Sequence, residues 1–300
     1  MFQRNEIMHI LHAFDWRYSE VIAEIESIAR AGFSAILLPP SLHTQHGINN
    51  TPGPWFLRYQ PFSYRHIYNG LGTKSELINL INIAKKHNIK IYADLLCNFM
   101  ANEGCNRGLK YPNLMTELPD NPEYTLIGAE LNLSVFDEND FEPAQYIKDW
   151  NNVDQVQNGR LSGSDTDLGL PKLKCNDNVI ATQKAYIDAL LDIGVTGFRI
   201  DAAKHLKEHH FHALVNHIPN DCYVFGEIIT NGGRNTDEYE RFLAPRLHAP
   251  IKYYDFPFFH TAFRLIKEKN FGRLEETLAS IDDVGGKGIA FYTNHDINSI

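Results

Sequence analysis

The chain is poor in patterns that would commit it to several common functions. Cysteine is scarce, with four in 300 residues, and Cys97, Cys105, Cys175 and Cys222 show no C-x-x-C spacing. That excludes a thiolate zinc module and a disulfide scaffold, and it suits free thiols in a reducing compartment. No Lys/Arg block stands out among 28 basic and 37 acidic residues, and the net charge is −9. Nucleic acid is therefore not an expected partner. No apolar run approaches the roughly 18 residues of a membrane-spanning helix, so a membrane is not an expected partner either. The amino terminus, MFQRNEIMHILHAFDW, is interrupted by Asn5, Glu6, His9 and His12 and lacks the apolar core of a secretory signal. The expected location is cytoplasmic, or outside the cell by a route without a recognisable signal. A Rossmann glycine fingerprint and short-period repeats are also missing.

What is present is an alternation of strand and helix patterns. Strands are expected at 7–13, 34–38 and 89–96, with helices at 19–31 and after Thr73, which forms a capping box with Glu76 ahead of Leu77, Leu80, Ile81 and Ala84. From 99 to 171 the periodicity fades and Asn, Asp, Gly and Pro dominate. Alternation then resumes, with a helix at 178–192, strands at 195–201, 222–227 and 251–255, a helix at 271–281 and a strand at 288–293. Parallel βα units of this number, in a chain long enough for a barrel of about 250 residues, predict an α/β fold of the (β/α)8 TIM-barrel type. The expectation is a barrel truncated after its seventh strand. Residues 1–98 would form its first part, 99–171 a loop-rich domain inserted after the third strand, and 172–300 the remainder.

Within this frame the stretch GFRIDAAKH, 197–205, is unusual. Alternation along a strand places Arg199 and Asp201 on one face, with Phe198 and Ile200 on the other. Taken alone, R-x-D is most simply an ion pair at a sheet rim. However, Asp94, Asp201, Glu227 and Asp296 each fall at or just beyond the carboxyl end of an expected strand, and those ends converge on the face where barrels carry their chemistry. Crowded carboxylates raise one another's pKa, which suits a pair needing one ionised and one protonated member. Glycoside hydrolysis uses such a pair.

IYADLLCNF, GFRIDAAKH, VFGEI and FYTNHD, in that order after successive strands, resemble the four signature stretches of the α-amylase family of glycoside hydrolases (family 13 type). WFLRYQPFSY, 55–64, is similar to a segment ahead of the third strand in animal-type members, and QVQNGRL, 155–161, resembles part of their inserted domain B. The resemblance implies Asp201 as nucleophile, Glu227 as general acid/base and Asp296 as the acid holding substrate hydroxyls, in a retaining hydrolysis of α-1,4-glucans such as starch or glycogen. Arg199 would keep Asp201 ionised through its charge. His295 matches a sugar-contacting histidine, and Lys204 and His205 match residues on the leaving-group side. Trp55, Phe56, Tyr59 and Gln60 suit a stacking platform for glucose rings. Without the motif, His205 would read as one more histidine of a surface loop rich in them, with His209, His210 and His212.

The sequence departs from the family at two places. Asn98 is followed by Phe99, where a histidine donor is usual. The family's calcium site, which the resemblance would place on Asn98 and the His205 carbonyl, normally draws an aspartate from a stretch that here reads GLPKLK, with Lys172 in that position. An ammonium cannot ligate a hard cation and could instead occupy the site as a substitute charge. Asp165 and Asp167 are the other candidates for that ligand. Arg199 and Asn294 match two chloride ligands of animal-type members, and the third would fall beyond residue 300, so chloride is left open. Transglycosylation, exo-acting α-glucosidase activity and non-catalytic glucan binding remain as alternatives on the same scaffold.

Overall fold

The computed structural model describes residues 8–44, 54–102, 119–128, 131, 136–231, 235–270, 272–273, 275 and 284–291. Its frame is a curled sheet of seven strands: β1 (Ile10–His12), β2 (Ala35–Leu38), β5 (Lys90–Leu95), β6 (Gly197–Ile200), β7 (Tyr223–Gly226), β8 (Lys252–Tyr254) and β9 (Gly288–Ile289). They lie in that order and every neighbouring pair is parallel. Among the described residues this matches seven strands of the expected (β/α)8 barrel. A separate two-stranded antiparallel sheet, β3 (His43–Thr44) with β4 (Pro61–Ser63), lies between β2 and β5 in sequence.

The strands are short, and the central ones, β2, β5, β6 and β7, are wholly or largely buried, as in a parallel sheet covered on both faces. Their period-2 alternation sorts side chains into two layers. Ile36, Leu38, Ile91, Ala93, Phe198 and Ile200 join the main core. Helices α1 (Tyr18–Arg30), through Val21, Ile25 and Ile28, and α2 (Lys74–Lys86), through Leu77, Leu80, Ile81 and Ala84, bury their apolar stripes in that core. The opposite parity, with Ala35, Leu37, Tyr92 and Phe225, forms a second, smaller apolar cluster. Continuing that parity toward the carboxyl ends leads to Asp94, Arg199 and Glu227, so the inner layer is apolar at one end and charged at the other.

Helix starts follow local chemistry. The Thr73–Glu76 capping box is present, with the Glu76 N–H donating to Thr73 Oγ1 at 3.1 Å and the Thr73 N–H to Glu76 Oε2 at 2.7 Å. Helix α4 (Asp177–Asp192) is capped by Asn176, whose side chain accepts from the Val179 N–H. Three further helices had no counterpart in the periodicity: α3 (Val153–Asn158), α5 (Glu208–Val215) and α6 (Phe256–Lys267). Helix α5 reads EHHFHALV, in which buried His210 fills a position that an apolar residue would have advertised. Helix α6 starts directly after β8 with consecutive aromatics that obscure a 3.6-residue period. Most of the expected helix at 271–281 lies outside the described residues.

The irregular excursion leaves and re-enters the barrel at one place. Met100 N–H donates to the Pro171 carbonyl at 3.0 Å, and Leu173 N–H to that of Asn98 at 2.8 Å. No helix among the described residues is long and apolar enough to cross a membrane.

Gly197 opens β6 in the inner layer, between Tyr92 and Tyr223, whose rings stack at 5.6 Å. A Cβ there would lie 2.5 Å from Tyr92 Cδ1 and 2.7 Å from the Tyr223 carbonyl oxygen, and the latter cannot swing away. Gly197→Ala is expected to destabilise the fold by about 2–3 kcal/mol. The urea midpoint checks this, and an unchanged midpoint would show that the tyrosine stack yields.

Candidate active site

Arg199 is fully buried at the carboxyl end of β6, and its guanidinium binds three carboxylates. Nη1 donates to Asp94 Oδ2 at 2.6 Å and to Asp201 Oδ1 at 2.9 Å, while Nη2 donates to Glu227 Oε1 at 2.5 Å. Register creates this meeting, because Asp94 pairs with Arg199 across β5 and β6. Asp201 and Glu227 are each the first residue past the end of their strand. Burial works against the guanidinium charge, but Asp94, Glu227 and Asp201 outweigh it and hold the pKa of Arg199 well above its ordinary value.

The acids differ in environment. Asp94 is inaccessible and also accepts from the Tyr59 hydroxyl at 3.2 Å. Burial raises its pKa to about 6, with Arg199 opposing and Glu227 adding to the rise. Glu227 accepts through Oε2 from the Ala202 N–H at 3.2 Å. The Asp201 side chain, 19% exposed, reaches the cleft. Ala202 has left-handed backbone angles, φ 46° and ψ 42°, a strained conformation for a residue with a side chain. Asn98 Nδ2 secures this turn by donating to the carbonyls of Asp201, at 3.1 Å, and Ala202, at 2.9 Å.

Asp201 and Glu227 open into a cleft of about 600 Å³ whose lining includes Trp55, Phe56, Tyr59, Gln60, Trp150 and Lys204. Trp55 and Phe56 are exposed, in keeping with a platform for a ligand rather than core packing. Tyr59 meets the Trp55 ring edge-on at 6.0 Å, and burial, then Asp94, keeps its hydroxyl protonated as a donor. Lys204 donates to the Ile229 carbonyl at 3.3 Å. Burial lowers its pKa while Glu238 and Glu227 oppose.

His205 is buried, not a surface histidine. Its Nδ1 lies 2.9 Å from the Val156 carbonyl, so Nδ1 carries the proton, and burial with Lys204 and Lys172 lowers its pKa to about 3. The structure brings Asn98 Oδ1 and the His205 carbonyl together around Lys172, whose Nζ donates to both at 2.9 Å. The ammonium also sits 5.0 Å from the centroid of the Phe99 ring. Burial lowers the pKa of Lys172 to about 7, with Glu142 opposing. Asp165 and Asp167 are engaged elsewhere, by the Tyr146 hydroxyl and by Asn102 Nδ2.

Asp296, His295 and Asn294 lie outside the described residues. Asp94 was legible at a strand end but not as a member of the Arg199 cluster, which depends on register. Trp150 was missed, although it is one of three tryptophans and stands in a polar stretch, IKDWNNVDQ. It meets His205 edge-on at 5.9 Å, with Lys204 Nζ 5.7 Å from its centroid.

The sheet and the acids at its carboxyl ends define a barrel domain with a carboxylate-lined cleft. A family model described as the alpha-amylase catalytic domain matches residues 18–270. The chain is 39% identical over 258 residues to an alpha-amylase of Aeromonas hydrophila, covering 83% of this chain and 54% of that protein. It is 32% identical over 235 residues to the pancreatic alpha-amylase of Rattus norvegicus, covering 75% and 44%. Alpha-amylase I of Eisenia fetida superimposes with a TM-score of 0.76 at 21% identity, over 96% of this chain and 58% of that one. A mutant of that enzyme, solved with maltohexaose, superimposes with a TM-score of 0.73 at 21% identity, over 98% and 60%. This chain belongs to the α-amylase family. It spans about half the length of the curated relatives it matches.

At pH 5 the folded chain retains an Asp94 proton that the unfolded chain has lost, so this group's contribution to stability falls as pH rises from about 4 to about 6 and is flat above. The change amounts to roughly 3 kcal/mol. Wild type should therefore lose stability relative to Asp94→Asn across that window. A stability difference independent of pH would rule out the raised pKa.

Proposed function

We propose that this chain carries the catalytic apparatus of a retaining α-glucan hydrolase acting on α-1,4-glucosidic bonds. The observation that carries the reading is the Arg199 fork, with Asp201 on one terminal nitrogen and Glu227 on the other, both facing one aromatic cleft. Two carboxylates on one guanidinium suit the separation of about 5–5.5 Å in retaining enzymes better than the 6.5–9.5 Å of inverting ones. Asp201, ionised beside Arg199, attacks the anomeric carbon and forms a glycosyl-enzyme ester. Glu227 protonates the departing glycosidic oxygen and then removes a proton from the water that cleaves the ester. Asp296 and His295 are assigned to substrate hydroxyls by the family motif. Trp55, Phe56, Tyr59 and Trp150 offer faces or edges to successive glucose rings, with Gln60 and Lys204 as polar contacts. The maltohexaose complex of the Eisenia fetida mutant supports a linear α-glucan as ligand.

Asp201→Asn should keep the fold, as judged by circular dichroism, and reduce release of reducing ends from soluble starch by on the order of 10³-fold or more. Wild-type turnover in that variant would remove Asp201 from the nucleophile's role. Products longer than the substrate, formed from maltohexaose by wild type, would move the assignment to transglycosylation.

The family's calcium does not fit the residues present. Both oxygens that would bind it already accept from Lys172, and a dication would have to share its site with a buried ammonium. We assign the structural role of the cation to Lys172, and no catalytic step passes through a metal. Chelator or millimolar calcium should shift the melting temperature by less than about 1 °C, compared with the several degrees that a bound structural ion supplies. A drop of several degrees with chelator that calcium reverses and zinc does not would restore calcium.

A further inference from the structure

Helix α5 begins just past the loop that carries Asp201, Lys204 and His205, and its histidines have separate surroundings. His210 is buried against Gln183 Oε1 at 2.7 Å, and His209 is exposed. His212 lies one helical turn from Glu208, on the same face. His248, from the segment after Arg246, meets that face, with its Nε2 3.1 Å from Nε2 of His212. Glu208 Oε1 is 3.7 Å from the first of these nitrogens and 3.8 Å from the second. The two ring centroids are 5.0 Å apart, farther than the nitrogens, so the rings converge by their Nε2 edges and do not stack by their faces.

Two imidazole nitrogens 3.1 Å apart are held together by a shared proton or by a cation. The triangle formed by the three atoms encloses a point about 2.1 Å from each, which is the bond length of Zn²⁺ to imidazole nitrogen and carboxylate oxygen. We propose that Glu208, His212 and His248 form a surface site for a transition-metal dication of the zinc class. Glu208 and His248 are exposed, so water can complete the coordination. Imidazole donors select such ions over calcium or magnesium. The ion would join α5 to the 246–248 segment from outside. Arg246 already joins the same region from inside, donating to the carbonyls of Phe242 at 2.8 Å and Leu206 at 2.7 Å. The site is separate from the cleft and does not depend on the reading of its chemistry.

Calorimetric titration of the full chain with Zn²⁺, without chelator, tests the assignment. One equivalent should bind and raise the melting temperature, while Mg²⁺ and Ca²⁺ leave it unchanged. Affinity should fall at least about tenfold in His248→Ala, an exposed position where folding is not at risk, and likewise in His212→Ala, but not in His209→Ala. Absence of stoichiometric binding, or binding that survives His248→Ala, would overturn the site and reduce any uptake to the chain's other histidines.

Discussion

A single buried guanidinium holding three carboxylates is the constraint on which the rest of this structure depends. Arg199 has no exposed surface, and neither has Asp94. Removing such a charge from water costs several kcal/mol, and only partners placed in hydrogen-bonding contact offset that cost. The sheet supplies them through parity and register. Asp94 lies in register with Arg199 on the neighbouring strand, and Asp201 and Glu227 lie at the ends of β6 and β7. One cation among three acids leaves the floor of the cleft short of positive charge. The proposed transition state, cationic at the sugar ring, would complete that balance when it forms, which is where electrostatic preorganisation gains most.

The two departures from the family pattern prove to be neighbours. Phe99 and Lys172 pair as an antiparallel bridge at the point where the irregular excursion leaves and re-enters the barrel. A histidine donor aimed at an ammonium would add like charge or an idle N–H, whereas an aromatic face attracts the cation. Once Lys172 occupies the space between Asn98 and the His205 carbonyl, a phenyl ring at 99 is the compatible neighbour. The two departures from the family pattern are thus physically coupled.

How much was legible follows from the range of the interactions. Strand positions and the Thr73 cap depend on residues a few places apart, and they emerged from the alternation of Ile, Leu and Val and from the T-x-x-E spacing. Arg199 and Asp201 share a face for the same local reason. Asp94 joins them only because two strands 105 residues apart align without slip, and no pattern within either strand specifies that. His205 looked exposed in a run of histidines, but Trp150 and the Val156 carbonyl, both from the excursion, cover it. Helix α5 lacks an apolar period for a related reason, since His210 is polar in composition yet buried through its bond to Gln183 of α4.

Asn98 links Lys172 to the carboxylates at the cleft. Its Oδ1 accepts from Lys172 while its Nδ2 donates to the Asp201 and Ala202 carbonyls, and only this orientation of the amide satisfies both sides, because an ammonium cannot accept and a carbonyl cannot donate. The bonds hold Ala202 in its left-handed turn, and that turn aims the Ala202 N–H at Glu227 Oε2. A chain of hydrogen bonds therefore runs from the base of the excursion through one amide to the acid assigned to proton transfer. Positioning of the acids is thus coupled, through Lys172 and Asn98, to how the excursion closes on the barrel.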